Sequence, residues 1–337
     1  MPSEEFARVS VASRPVFVEM TPFRIEPQFV GRVWGWKDLR PWYDRVAKGE
    51  PIGEVWLTGD DCEVATGSHR GKTLAVLFDE QAHALLGSTA TSSGSPLLIK
   101  VIFAREKLSV QVHPDDRLAQ KVGQPRGKTE CWYALTAEPG AQVAVGLRPG
   151  VTLDTVKAGI DGGSLEESLN LLPVHAGDMI FVDAGTVHAI WPGSVLLETQ
   201  QNSDITYRLY DYGRGRELHI EKSLESTRLT TKAGKVEPRV LEDRTVLIDS
   251  TYFCVEKIRV DVSRSSSTLT GKDEAAPALS YLFAASGSAR LTSPSFEPLE
   301  LPERGIAAIP ASSPVFAIQD LGGLDLIRIS ARTPRII

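Results

Sequence analysis

The feature that most constrains this chain is a recurrence of short β-branched or aromatic-rich segments, each ended by Gly, Pro or Asp. Residues 96–103, 108–113, 130–135, 142–147, 179–183, 194–198 and 205–212 read this way, and many alternate apolar with polar. Short alternating strands at close spacing predict an antiparallel sandwich or barrel. Helical spacing is confined to residues 74–86, 152–160 and a short stretch at 164–171, where Ser164 and Glu167 have the spacing of a capping box. A second β-rich region follows, at 246–248, 252–260, 280–285, 307–309 and 324–330, with a serine-rich surface loop expected at 264–268. At 337 residues the chain is long enough for two domains. The polar stretch 223–239 is the natural boundary, giving a first domain over 1–225 and a second over 226–337. The expected class is mainly β, two β-barrels with a few short helices.

Charge narrows the partners. The net charge is −6 and no basic run occurs, so duplex nucleic acid and anionic membranes are excluded as expected partners. A small phosphorylated ligand needs only a few cations in a pocket and stays open. No obligate protein partner is inferred. The acidic start, Met1 to Glu5, does not read as a secretory signal, and no apolar run reaches the length of a bilayer span. The three cysteines, Cys62, Cys131 and Cys254, suit neither a disulfide framework nor a thiolate metal site, so reduced thiols in a cytoplasmic protein are expected.

All six histidines lie in the first domain, which places any imidazole–metal chemistry there. His69, His83, His175 and His219 fall in a turn, a helix and two loop contexts, where a histidine is ordinarily a hydrogen-bonded structural residue. His113 and His188 differ because each ends a patterned segment. In the strand ending at His113, Ser109, Gln111 and His113 share one face while Leu108, Val110 and Val112 take the other. Lys128 and Glu130 share a face in the next segment, where Glu130 is equally readable as the ion-pair partner of Lys128. Residues 177–188 read as a strand, a glycine turn and a strand beginning near His188. Two imidazoles, a carboxylate and an amide oxygen suit a catalytic zinc site with an open position, and the same donors tolerate iron, cobalt, nickel or manganese.

The spacing Gly177-x5-Asp183-Ala184-Gly185-Thr186-Val187-His188 resembles the second cupin motif, with Asp183 in place of its proline. Four longer segments together resemble type I mannose-6-phosphate isomerases of the short bacterial form: 111–116 around His113, 127–135 around Glu130, 184–190 around His188, and 198–208 from Glu198 to Arg208. Weaker echoes are Val33-Trp34-Gly35, residues 52–56 and the segment at His219. The resemblance covers roughly residues 20–225. It implies two cupin/jelly-roll barrels and one Zn²⁺ per chain on Gln111, His113, Glu130 and His188, with the second barrel structural and metal-free. It further implies a catalytic Arg208, with Lys128 and Glu198 in the pocket. Trp36 stands where a second glycine is usual, a change expected at the outer rim, and Asp183 is expected to alter the turn.

The implied reaction interconverts mannose 6-phosphate and fructose 6-phosphate through an enediol. It needs a base near C1 and C2, an electrophile for the developing oxyanion and a grip on the phosphate. Glu198 and Lys128 are the candidate bases, and Glu198 is alternatively a carboxylate that pairs with Arg208. Lys100 is expected to cap a strand edge rather than bind phosphate. Two other readings use the same donors: an iron(II) cupin dioxygenase, and a phosphosugar-binding cupin without activity.

Overall fold

Alternation along the strands sorts the chain into three antiparallel sheets. The structure, a computed structural model, describes residues 19–87, 94–260 and 278–332; the serine-rich stretch 264–268 lies outside them. A seven-stranded sheet runs, in spatial order, Gly234–Val236, Met179–Val182, Glu130–Ala137, Ser194–Gln201, Leu97–Phe103, Ile52–Trp56 and Gln28–Trp36. A five-stranded sheet runs Tyr207–Tyr210, Val110–Val112, His188–Ile190, Gln142–Leu147 and Leu169–Pro173. The remaining strands form an eight-stranded sheet dominated by Ser280–Ser293 and Ala317–Ala331. The expected mainly β class is the one observed.

Period two decides which layer each side chain enters. On the seven-stranded sheet, Ile99, Val101, Phe103, Cys131, Tyr133, Val195 and Leu197 turn outward. There they share one core with Phe253, Val255, Tyr281, Phe283, Ile327 and Ile329 of the eight-stranded sheet. The intervening residues turn inward, where Ile102, Trp132 and Leu196 meet Val143, Val145 and Ile190 of the five-stranded sheet. The outer face of the five-stranded sheet, with Val110, Val112 and Ala189, is covered by Val156 and Leu165 of the short helical segments. A third core, with Leu282, Leu291, Ile318 and Leu326, lies inside the C-terminal unit.

The helix Leu74–Leu86 forms over the residues its periodicity predicts, and Thr73 caps it by accepting the Val76 N–H. The 164–171 expectation is corrected. A single 3₁₀ turn, Leu165–Ser168, passes directly into the strand Leu169–Pro173, and Ser164 makes no side-chain cap. Pairing with Gln142–Leu147 outweighs the local capping signal.

Hydrogen bonding does not divide at 225/226. Phe23–Ile25 pairs with Ile306–Ile309 in the C-terminal sheet, while Gly234–Val236 pairs with Met179–Val182 in the first unit. Both exchanged strands cover edges that would otherwise expose unpaired backbone groups. The cysteines are free and buried. No described helix is long and apolar enough to cross a membrane.

Candidate active site

Register carries the first part of the site. Gln111 is the cross-strand partner of His188 on one side and of Arg208 on the other, so the three stand in one row across the five-stranded sheet. His113 follows at the end of the Gln111 strand. The facing seven-stranded sheet supplies a second row, in which Trp132 pairs with Glu198 and Glu198 with Lys100. Glu130 lies two residues before Trp132, on the same inward face. The predicted alternation of 108–113 holds from Ser109 onward. Leu108, expected beside Val110 and Val112, instead packs with Trp34 and Ile102 in the inner core, because the strand begins only at Val110.

His113, Glu130 and His188 are fully buried and place ligand atoms within 4.8 Å of one another. Each imidazole is held through Nδ1, His113 against the Ile205 carbonyl at 3.0 Å and His188 against the Thr186 carbonyl at 2.9 Å. A carbonyl only accepts, so both Nδ1 atoms carry the proton and both Nε2 atoms keep the lone pair that a metal takes, the His113 one accepting from Lys128 in this structure. Burial holds His188 down at about 4 and His113 well below its ordinary value, so both are neutral, the ligating form.

His188 Nε2 faces Glu130 Oε1 at 3.3 Å, and His113 Nε2 faces Glu130 Oε2 at 3.5 Å. Bonds of about 2.1 Å at tetrahedral angles give ligand separations of about 3.4 Å. His188 Nε2 has no hydrogen-bond partner among the described residues. A buried lone pair aimed at a carboxylate fits a cation between them. Without a cation, burial and the Glu198 charge push Glu130 up to about 7; a divalent ion reverses that preference. Gln111, the register partner of His188, lines the adjoining cavity.

The cavity, about 480 Å³, opens between the sheets and is lined by Lys100, Lys128, Glu198, Arg208, Arg216, Glu54 and Arg32 among others. Lys128 Nζ donates to His113 Nε2 at 3.0 Å and lies 3.0 Å from Glu130 Oε2, so the ion pair readable from the sequence is made. Glu198 is 3% exposed, accepts from Trp132 Nε1 at 2.9 Å, and pairs with Lys100 at 2.9 Å. Burial raises its carboxyl, but Lys100 and Lys128 outweigh burial and keep it ionised.

Gln111, Lys128, Glu198 and Arg208 line this cavity, and Lys128 joins it to the buried His113–Glu130–His188 group, yet two expectations fail. Glu198 does not pair with Arg208, whose Nη1 donates to the Glu217 carbonyl at 2.8 Å while its buried Nε has no partner among the described residues. Lys100 caps no strand edge: it sits mid-sheet, 6% exposed, between Glu198 and Glu54. Sequence reasoning missed Glu54, Arg32 and Arg216. Glu54 accepts from Arg32 at 2.7 Å and from Trp56 at 2.8 Å, and Arg216 is held by Asp211 at 2.8 Å. Alternation of Glu54 with Trp56 in the echo at 52–56 was the available signal; Arg216 sits in a polar loop with none.

The family model described as phosphomannose isomerase type I, catalytic domain, matches residues 23–145. A mannose-6-phosphate isomerase of Streptococcus mutans is 36% identical over 256 residues, covering 72% of this chain and 80% of that protein. This chain belongs to the type I phosphomannose isomerase family.

The fold agrees. The mannose 6-phosphate isomerase of Bacillus subtilis matches with a TM-score of 0.80 and 28% identity, over 93% of this chain and 100% of that one. A zinc-bound mannose 6-phosphate isomerase shares the fold at a TM-score of 0.73 and 18% identity, over 93% and 100% of the two chains. Within this isomerase framework, the turn before His188 shows what Asp183 does. It accepts from Thr186 Oγ1 at 3.0 Å and from the Lys232 backbone N–H at 3.3 Å, so a side chain closes the turn that a proline would stiffen. Gly185 is at φ +92°, and a Cβ there would lie 2.7 Å from Arg228. Trp36 is corrected too. It packs edge-on to Phe103 in the outer core, 5.5 Å between centroids, and does not line the cavity rim.

Proposed function

We propose that this isomerase interconverts mannose 6-phosphate and fructose 6-phosphate with one zinc ion held by Gln111, His113, Glu130 and His188. The observation that carries the metal site is the pair of buried imidazoles whose Nε2 atoms face the two oxygens of Glu130. A nitrogen-and-oxygen donor set of this size favours zinc, and a zinc-bound isomerase has the same fold. When bound, the zinc polarises the sugar carbonyl and offsets the charge of the enediolate.

The chain's own residues divide the remaining work. Glu198, held ionised in the cavity wall, takes the C2 proton of the aldose and returns it to C1. Lys128, beside the metal position, carries the proton exchanged between the C2 hydroxyl and the C1 carbonyl oxygen. Arg208 lines the cavity, its buried Nε has no partner among the described residues, and it grips the anionic end of the sugar or its oxyanion. The C-terminal unit carries no candidate metal group among its described residues and serves as a structural partner. A cytoplasmic location accords with three free, buried cysteines.

Isomerisation of mannose 6-phosphate, measured on the protein as purified, after chelation and after zinc is restored, tests this. Activity is expected to vanish on chelation and return with zinc. Folded protein without isomerisation in any metal state overturns the reading, and oxygen consumption with iron would replace it with a dioxygenase.

A further inference from the structure

We infer that His219 is a positioning residue for Arg208, standing in for the neighbouring strand that the Arg208 strand lacks. The inference rests on the placement of Arg208 in the proposed site. Tyr207–Tyr210 is the outermost strand of its sheet, paired with Val110–Val112 on one side only. On its open side the Arg208 backbone N–H donates to His219 Nδ1 at 3.2 Å, and the His219 N–H donates to the Arg208 carbonyl at 2.8 Å. That is the reciprocal two-bond pattern of an antiparallel pair, with an imidazole nitrogen in place of one carbonyl. Acceptance at Nδ1 puts the ring proton on Nε2, which lies 3.9 Å from the Glu217 carboxylate.

The same short segment holds the side chain, since the Glu217 carbonyl accepts from Arg208 Nη1 at 2.8 Å. A register irregularity between Arg208 and Tyr210 weakens the inner edge where the grip is most needed. The His219 ring also packs against Tyr207, 6.1 Å between centroids, which fixes its plane. An edge strand frays unless it is covered, and an arginine that must meet an anion at fixed geometry loses much of its effect when displaced.

The test is a double-mutant cycle on zinc-loaded protein. His219→Phe keeps the ring and removes the acceptor, while His219→Asn restores an acceptor near the Nδ1 position. His219→Phe is expected to keep its zinc and lower kcat/KM by about tenfold. In an Arg208→Ala background the same change should cost less than about twofold, and His219→Asn should recover most of the loss. Equal losses in both backgrounds, or an Asn variant no better than Phe, overturn the role. Amide hydrogen exchange at Arg208 gives a reading independent of turnover: His219→Phe should speed it while Gln111 stays protected. If the Phe variant does not fold, exchange at Arg208 in the wild type decides: protection of this edge-strand N–H supports the role, and exchange as fast as an exposed amide overturns it. Wild-type protein inactive on mannose 6-phosphate would sink the isomerase reading and leave the exchange result standing for His219.

Discussion

The interiors of the two β-units treat buried charge in opposite ways. In the C-terminal unit, Glu256 has both oxygens occupied, Oε1 by Arg244 Nε and Oε2 by Arg328 Nε, each at 2.8 Å. Around that cluster the interior is apolar, with Ile258, Leu282 and Leu326. In the first unit, Lys100 bridges Glu54 and Glu198 while Lys128 pairs with Glu130 beside two imidazoles, and His188 Nε2 and Arg208 Nε have no partner among the described residues. Both units bury carboxylates in apolar surroundings. A carboxylate satisfied by guanidinium groups has no capacity left for a ligand, while unsatisfied donors and acceptors gathered around one cavity leave room for one.

The sharpest break of this comparison is removal of a ligand. His188→Ala should abolish zinc retention, measured by metal analysis, and lower turnover by more than about 10³-fold. Gln111→Ala should weaken zinc by only about 10–100-fold, because an amide oxygen is a poorer donor than imidazole. Equal and total loss in both would remove that ranking. Neither change should disturb the C-terminal core.

The converse experiment strikes the other unit. Glu256→Ala should cost about 3–5 kcal/mol of stability, since it takes the carboxylate from a buried pair, and zinc content should be unaltered in the folded fraction. Denaturant unfolding reads the first quantity. A stability loss within experimental error would show that the cluster is no more than a tolerated remnant.

The smallest effect concerns pH. Burial raises the Glu54 carboxyl, but Lys100 and Arg32 outweigh it and hold the group at about 2. A depressed carboxylate contributes stability above its unfolded value, and that contribution is lost as pH falls toward the folded value. The stability advantage of wild type over Glu54→Gln should therefore shrink by about 2 kcal/mol between about pH 6 and about pH 3. An advantage independent of pH would place the value of Glu54 in packing rather than charge.

Period-two alternation and turn chemistry determined, from the sequence by itself, the β class, most strand positions and the helix Leu74–Leu86. They also determined that Gln111 and His113, and Lys128 and Glu130, each face one way, because a pleated strand fixes side-chain direction locally. The long motifs carried the family. Tertiary structure alone decided which distant carboxylate meets which cation. Glu198 went to Lys100 and Trp132 rather than to Arg208, Lys100 went to the middle of a sheet, and Glu54 entered the cavity from a strand about 145 residues away from Glu198. It also sent Phe23–Ile25 to the far sheet and turned His219 into a partner for an edge strand. Those outcomes depend on sheet order and register between remote segments, and no local pattern encodes which edge or which row a strand will join.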